Sequence, residues 1–320
     1  MSGYLQLKDS TGHRGDSKRL AEILNEDGYL FLRRLVDPDR ALQVKREIMV
    51  ILKEHYIIED NSTNDPLWSG GPHPTEEEYM QYYDKVVRLD SFISLAQSPE
   101  IISLMESVFG APVQVWKQRL IRVMCPDPDA PDDIGVGAHQ DGAKNLGYGA
   151  DRFYTCWLPL MDIDEKLGGL AIVVGSHKMG FMEHAGSNPS SSKEARSKGF
   201  GLDMNKFTWA TSNYHPGDAI FFSHVTAHRG LINRSDRIRL SCDFRYQAIN
   251  DSVNWLAHTR GPDVRRVAQQ IDAIINSRAL YVTTHADKET LVEVRRRMLE
   301  EKATSLQRAQ ELVTEVSNKQ

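Results

Sequence analysis

The sequence predicts a β-structured core between helix-rich ends, and three observations support this fold class. Short segments that are apolar, or that alternate between apolar and polar residues, cluster in the middle of the chain between Gly and Pro signals. Apolar residues recur at helical spacing before residue 110 and after residue 262. The strands do not alternate with helices, as a parallel sheet would require, so a β-sandwich or barrel is favoured.

The beginning of the chain predicts a helix, a short strand and a second helix. Ser17 is a candidate helix cap, and Gly28 ends the helical pattern of apolar residues that follows it. Tyr29–Leu32 is a short apolar strand. Asp37 and Pro38 then start the second helix, since Asp is a good cap and Pro fits the first helical turn.

The same signals organise the rest of the chain. Residues 60–80 are polar and rich in Pro and Gly and predict a loop, whereas 98–109 predict a helix. The predicted strands of the core are 113–124, 152–160, 170–174, 219–222 and 238–246. Residues 183–213 predict a surface excursion between strands, and 264–275 and 287–316 predict C-terminal helices.

Composition favours a globular protein with a small-molecule partner. The formal net charge of −5 and the pI near 6.1 give no general attraction to nucleic acid or anionic lipid. No run of 18 apolar residues occurs, so no membrane span is expected. The three cysteines lie far apart and predict neither disulfides nor a zinc site. We therefore expect a cytoplasmic protein that binds neither membranes nor nucleic acid.

A candidate metal site is formed by His139, Asp141 and one later histidine. His139 and Asp141 are two residues apart, so on an extended segment their side chains point to the same side. The later histidine is His228, with His224 as the alternative. Two imidazoles and one carboxylate bind Fe(II) on one face and leave the other positions open. The sequence thus predicts a non-haem iron site.

Arg239 is the candidate anchor for a dicarboxylate co-substrate. It lies eleven residues after the second predicted histidine ligand and shares a strand face with Ser241. A buried Arg needs an anionic partner, and a bidentate clamp on 2-oxoglutarate would provide one. A structural salt bridge to Asp243 or Asp236 is the alternative. Arg237 is a rival clamp, but it sits in a polar turn and is expected to be exposed.

Several motifs, in their order and spacing, make residues 115–246 resemble the phytanoyl-CoA dioxygenase family of Fe(II)/2-oxoglutarate oxygenases. The matching stretches are His139-Gln140-Asp141-Gly142, Trp157 through Asp162, Gly168-Gly169-Leu170, Gly175 through Lys178, Gly217 through Phe222, and His228 through Asn233 to Arg239. The resemblance extends over about 15–250. Val174 departs from it, because the family usually has Pro there, and the C-terminal helices have no match.

The resemblance implies a double-stranded β-helix, or jelly-roll, core with iron at one open end. Carried over, His139, Asp141 and His228 are the iron ligands, and the spacing favours His228 over His224. Arg239 would anchor the distal carboxylate of 2-oxoglutarate, with O2 as the second co-substrate.

The remaining candidates are helpers around this site. Trp157 resembles a Trp that lines the co-substrate pocket, although composition alone predicts a core residue. Ser241 and Thr155 are further candidate co-substrate contacts. Gln118 and Arg122, which share one face of the predicted strand 113–124, resemble positions that contact co-substrate or substrate.

The function implied is a dioxygenase that oxidises a small organic molecule and releases succinate and CO2. Asp141 is present where related halogenases have a small residue, so hydroxylation or another oxidative outcome is expected. A biosynthetic tailoring enzyme is favoured over an acyl-CoA hydroxylase of the phytanoyl-CoA type. The remaining alternatives are a non-catalytic jelly-roll protein that binds a ligand and a demethylase of protein or nucleic acid.

Two segments are expected to lie over the iron and to set substrate specificity, 62–84 and 181–213. Their aromatic residues favour a partly apolar substrate: Trp68, Tyr79, Tyr82, Tyr83, Phe181 and Trp209. No Lys/Arg cluster in these segments clearly indicates a site for a CoA phosphate, with Lys193, Arg196 and Lys198 as the exception.

The expected domain organisation is a dioxygenase domain followed by a helical extension. The dioxygenase domain spans 1–261, with a helical N-terminal part at 15–110 and the jelly-roll core at 111–250. Residues 262–320 either cap this domain or form a homodimer interface. An apolar stripe on the extension consists of Leu291, Val294, Met298 and Leu306.

Overall fold

The computed structural model describes residues 3–59, 65–130, 137–142, 152–182, 206–251 and 261–318. The strands are β1 (Leu5–Gln6), β2 (Tyr29–Leu32), β3 (Val113–Val115), β4 (Leu120–Met124), β5 (Tyr154–Pro159), β6 (Leu170–Val173), β7 (Trp209–Thr211), β8 (Ala219–Ser223), β9 (His228–Gly230) and β10 (Arg239–Ala248). The helices are α1 (Ser17–Asp27), α2 (Pro38–Glu54), α3 (Glu76–Val86), α4 (Asp90–Ala96), α5 (Pro99–Phe109), α6 (Gly261–Ile275), α7 (Arg278–Thr284), α8 (Lys288–Glu301) and α9 (Leu306–Ser317). The predicted β core with flanking helices is confirmed.

The strands form two sheets whose inner faces meet. The larger sheet has the order β2-β8-β5-β10-β3, with β4 also paired to β10, and the smaller has the order β1-β7-β6-β9. Contacts between aromatic rings join them. The Phe222 ring on the larger sheet lies 4.4 Å from the His228 ring on the smaller, and Trp157 packs edge-on against Tyr214 at 4.9 Å.

Strand β10 runs through the centre of the larger sheet and has two different faces. Its apolar face packs under α4, where Phe244 contacts Phe92 and the Tyr246 hydroxyl donates to the Ala96 carbonyl. Its other face carries the polar residues Arg239, Ser241, Asp243, Arg245 and Gln247. All ten residues of the strand are buried. Since buried polar groups need partners, this row marks a polar interior between the sheets.

The predicted helical start of the chain is largely confirmed, with one correction. Helix α1 ends at Gly28, whose φ of 83° is the left-handed geometry that favours Gly. The cap is Asp16 and not Ser17, because the Asp16 side chain accepts from the Arg19 N–H. Asp37 caps α2 as predicted.

The predicted loop 60–80 is wrong at its end, because α3 begins at Glu76. Thr75 and Glu78 form a reciprocal capping box there, and three glutamates occupy the first turn. Helix α4 was not predicted. The predicted strand 113–124 is two strands, and Gln118 lies between them.

The predicted surface excursion 183–213 is wrong where it can be checked. Trp209–Thr211 is a fully buried strand that pairs with β6 in the smaller sheet. The Trp209 ring also lies under the Arg229 guanidinium, 4.4 Å from its centroid. Residues 183–205 lie outside the described residues.

The C-terminal helices form a hydrophobic cluster of their own. The predicted helix 287–316 is interrupted at Lys302, which has a φ of 53°, and Ser305 caps α9. Val294 and Met298 are fully buried in this cluster, with Leu291 and Leu306 against it, so the apolar stripe packs within the extension. The homodimer interface stays a prediction, as do the domain boundaries. Among the described helices, none is long and apolar enough to cross a membrane.

Candidate metal centre

His139, Asp141 and His228 meet at the edge of the smaller sheet. The backbone N–H of His139 donates to the carbonyl of His228 at 3.0 Å, and the reverse bond has the same length. Asp141 Oδ1 lies 3.7 Å from His139 Nε2 and 3.8 Å from His228 Nε2. The three ligand atoms lie within 4.8 Å of one another. These residues therefore converge as one ligand set.

Both imidazoles are held in the form that binds metal. His139 Nδ1 lies 2.9 Å from the Gly137 carbonyl, and His228 Nδ1 lies 3.0 Å from the Thr226 carbonyl. A carbonyl only accepts, so both Nδ1 atoms carry the hydrogen and the Nε2 lone pairs face Asp141. Burial and the adjacent His228 lower the pKa of His139 to about 3. Burial also lowers the pKa of His228, so both rings are neutral at pH 7.

Asp141 is a buried carboxylate that stays ionised. Burial alone would raise its pKa, but the charge of Arg245 and then the two histidines hold the pKa well below the usual range. Arg245 Nη2 lies 3.3 Å from Asp141 Oδ2, and the Thr155 hydroxyl donates to the same oxygen at 2.5 Å. One anionic oxygen and two neutral nitrogens on one side of a site fit a divalent iron ion.

The alternative ligand His224 packs against aromatic side chains and does not join the ligand cluster. Its ring lies 5.3 Å from that of Phe153 and 5.8 Å from that of Phe181. Its carbonyl accepts from the N–H of Gly142, the residue after Asp141. The converging cluster contains His228 instead.

Arg239 lies on the polar face of β10 without a carboxylate partner among the described residues. Its Nη1 donates to the carbonyls of Gly168, Gly169 and Leu231, while its Nε and the Ser241 hydroxyl have no hydrogen-bond partner there. Burial, and then the charge of Arg122, lower the pKa of Arg239 to about 10. The predicted alternative, a structural salt bridge, is not formed within the described part of the chain.

Arg122, and not Arg239, forms the ion pair with Asp243. Its Nε donates to Asp243 Oδ2 at 2.6 Å, across the β4–β10 pair. The rival Arg237 was expected to be exposed, and this is wrong: its side chain is partly buried, with Nη1 3.8 Å from Asp65 Oδ1. Gln118 is buried at 4% exposure.

Trp157 and Thr155 share the inner face of β5 but make different contacts. Trp157 is 2% exposed and packs on Tyr214, as a core residue would. Thr155 contacts the predicted iron ligand Asp141. Its role as a co-substrate contact stays a prediction.

Sequence reasoning missed two residues of the centre, Arg245 and Gln140. Arg245 lies six residues after Arg239, so the alternation of β10 places both on one face and could have indicated it. Gln140 Nε2 donates to the carbonyls of Gly180 and Val225, and its Oε1 accepts from the Met182 N–H. Gln140 lies between two predicted ligands in the sequence. Its hydrogen bonds therefore connect the ligand segment to the segment after β6 and to the turn before His228.

Replacing Gln140 by Ala is expected to lower the free energy of unfolding by about 3 kcal/mol, because it removes three part-buried hydrogen bonds that contribute about 1 kcal/mol each. Denaturant unfolding of metal-free protein measures this loss. The matched control is Gln43→Ala, which removes an exposed contact to Glu47 and should change stability by less than about 0.5 kcal/mol. Equal losses in the two variants would contradict the role of Gln140.

The predicted specificity segments contribute fewer surface aromatics than expected. Tyr82 and Tyr83 are buried core residues, and Trp68 and Tyr79 pack against the core. Phe181, at 50% exposure and in ring contact with His224, is exposed as predicted. The predicted phosphate contacts lie outside the described residues: Lys193, Arg196 and Lys198.

Comparisons with known proteins identify a family for this chain. A protein-family model described as "Phytanoyl-CoA dioxygenase (PhyH)" matches residues 24–241. The chain is 28% identical over 276 residues to a "1-deoxypentalenic acid 11-beta-hydroxylase" of Streptomyces arenae, covering 83% of this chain and 94% of that protein. A protein of the same name from Streptomyces exfoliatus is 26% identical, covering 82% and 92%.

A solved structure supports the fold. It is described as the epimerase SnoN in complex with Fe3+, alpha ketoglutarate and nogalamycin RO. It matches with a TM-score of 0.53 and 20% identity, over 76% of this chain and 89% of that one. At this identity the likeness concerns the fold alone, and the predicted jelly-roll core is confirmed.

Proposed function

Because this chain belongs to the phytanoyl-CoA dioxygenase family, we propose that it is an Fe(II)- and 2-oxoglutarate-dependent dioxygenase that oxidises a small organic molecule, releasing succinate and CO2. The observation that carries the proposal is the convergence of two neutral imidazoles and one ionised carboxylate. His139, Asp141 and His228 would hold the iron. When bound, this ion supplies the redox centre at which O2 and 2-oxoglutarate are consumed.

The buried charges support a dianionic co-substrate. Three arginines and two aspartates line the described polar interior: Arg239, Arg245, Asp141 and Asp243 are buried, and the Arg122 side chain is 31% exposed. This leaves one positive charge in excess, and a divalent metal adds two more. Isolated buried charge is costly, so a ligand with two carboxylates would offset most of this excess.

Arg239 and Ser241 are proposed to bind the distal carboxylate of 2-oxoglutarate. Both side chains lie on the same face of β10, and each has an atom without a hydrogen-bond partner among the described residues. An unpaired guanidinium N–H beside an unpaired hydroxyl can donate to a carboxylate, and the guanidinium charge attracts it. The carbonyls that accept from Arg239 Nη1 fix the orientation of the guanidinium.

The proposed substrate is a partly apolar organic molecule of a biosynthetic pathway. Two hydroxylases that are similar to this chain are named for 1-deoxypentalenic acid, and they are matched over nearly their whole length. The exposed Phe181 ring beside His224 offers an apolar contact next to the segment that carries Asp141. Tailoring chemistry on a carbon skeleton is therefore favoured over hydroxylation of an acyl-CoA.

The site of action is proposed to be a reducing cytoplasm. The three cysteines, Cys125, Cys156 and Cys242, are all free thiols, and burial raises the pKa of each. Such thiols, and a site for ferrous iron, suit a compartment in which neither is oxidised.

The test loads the protein with Fe(II) without oxygen, adds 2-oxoglutarate, and then admits O2 while succinate is measured. Slow release of succinate in the absence of substrate is the expected result. If no succinate is released, binding of 2-oxoglutarate to the iron-loaded protein is measured next. Binding without turnover supports an oxygenase that reacts only when its substrate is present. Neither turnover nor binding would overturn the proposal in favour of a ligand-binding protein.

A further inference from the structure

We infer that Arg245 and Thr155 act as positioning residues that hold Oδ2 of Asp141 away from the metal, so that Asp141 ligates through Oδ1 alone. The inference rests on the proposed function, since it concerns how this chain presents its carboxylate to iron. It extends that function by assigning roles to two residues outside the ligand set.

The two oxygens of Asp141 have different surroundings. Oδ1 faces the Nε2 atoms of both histidines, at 3.7 and 3.8 Å. Oδ2 accepts from the Thr155 hydroxyl at 2.5 Å and lies 3.3 Å from Arg245 Nη2. A carboxylate whose second oxygen is engaged by two donors is not free to turn both oxygens to one ion.

The sheet register places these two donors side by side. Thr155 on β5 and Arg245 on β10 are directly opposite each other in the antiparallel pair. Opposite residues on one face have their Cβ atoms about 4.5–5.5 Å apart, which lets both side chains reach one acceptor. The backbone of Arg245 is fixed in addition, since its carbonyl accepts from the Trp116 N–H. The pair is therefore built into the rigid centre of the larger sheet.

The chain after Asp141 is also fixed, which limits the movement of its backbone away from the pair. The Gly142 N–H donates to the His224 carbonyl at 2.8 Å. A Cβ on Gly142 would lie 2.6 Å from Cδ2 of His224, so this approach needs Gly. Asp141 is held between this turn and the sheet.

The functional consequence is an open coordination site. Two imidazoles and one carboxylate oxygen occupy three positions of an octahedral ion and leave three for co-substrates. If both carboxylate oxygens bound, one of these positions would be lost. Arg245 also draws negative charge from Asp141, which makes the ligand a weaker donor to the metal.

The test measures Co(II) binding without 2-oxoglutarate or O2, so that activity is not the readout. Thr155→Val is expected to weaken Co(II) binding by about 10- to 100-fold, the usual effect of losing an outer partner that orients a ligand. Arg245→Met also removes a positive charge beside the carboxylate, so the spectra and not the affinity are its readout. Both should also shift the Co(II) absorption bands and the carboxylate infrared bands towards a two-oxygen mode. Thr155→Ser keeps the hydroxyl and should restore affinity and spectra.

The matched control is Arg33→Met, which removes another buried-aspartate pair, Arg33 with Asp218 at 2.7 Å. It should lower stability and leave Co(II) affinity and spectra unchanged. Wild-type affinity and spectra in folded Thr155→Val would overturn the inference, even if Arg245→Met fails to fold. Failure of the wild-type protein to bind Co(II) would instead count against the proposed function.

Discussion

His228→Ala is expected to lose metal binding and 2-oxoglutarate turnover together. The variant removes one of two nitrogen donors from a ligand set whose atoms lie within 4.8 Å of one another. Loss of an outer partner alone weakens metal affinity by about 10- to 100-fold, so loss of a ligand should exceed about 100-fold. Co(II) titration measures the affinity, and succinate release measures the turnover.

Two other histidines provide the controls for this result. His215→Ala removes an exposed ring whose Nδ1 lies 2.7 Å from Asp162 Oδ1. This variant should keep both metal binding and 2-oxoglutarate turnover. His224→Ala tests the alternative ligand directly. Metal binding that is lost in His224→Ala and kept in His228→Ala would reverse the assignment of the third ligand.

Arg239→Met is expected to raise the dissociation constant for 2-oxoglutarate by about 100-fold or more. A hydrogen bond to a charged group contributes about 1.5–3 kcal/mol, and each 1.4 kcal/mol is a factor of ten. Titration of 2-oxoglutarate into Co(II)-loaded protein without oxygen measures this constant. Affinity for Co(II) itself should not change, because Arg239 does not contact the predicted ligands in the described structure.

The same variant separates a binding role from a structural one. Arg239 is a buried cation without a described anionic partner, so relief of its burial should offset the loss of its bonds to three carbonyls, and replacing it by Met should change the stability of the metal-free protein little. Arg237→Met, which removes a partly buried arginine 3.8 Å from Asp65, should not affect 2-oxoglutarate binding. A large loss of stability in Arg239→Met with unchanged 2-oxoglutarate affinity would show that Arg239 is structural.

The sequence was most informative where the needed signal is local. The spacing of His139 and Asp141 already places both side chains on one side, and the structure brings His228 to them. The alternation of β10 placed Arg239 and Ser241 on one face, as observed. In each case the separation of two residues in the sequence determines that their side chains lie on the same side of the strand.

The sequence was least informative where pairing between distant segments decides the contact. Nothing near Thr155 shows that Arg245 lies opposite it, because the register of β5 against β10 joins residues 90 positions apart. Trp209–Thr211 follows a stretch rich in Ser, Gly and Lys, whose composition concealed a buried strand.

Other errors came from signals that were overlooked or weak. Thr75 and Glu78 have the spacing of a capping box, which would have ended the predicted loop at the start of α3. The break at Lys302 has a weaker signal, since a Lys in left-handed geometry is uncommon and neither Gly nor Pro is present there.

The predicted ligands are divided between the two sheets, so metal binding is expected to stabilise the fold. Both histidines belong to the edge of the smaller sheet, whereas the carboxylate of Asp141 is held by the larger sheet. An ion bound to all three acts as a cross-link between the two layers. Any ligand that binds only the folded chain stabilises it by mass action, by about 2.7 kcal/mol at a hundred times its dissociation constant. Iron supply would thus change the stability of the folded protein, as well as its ability to react.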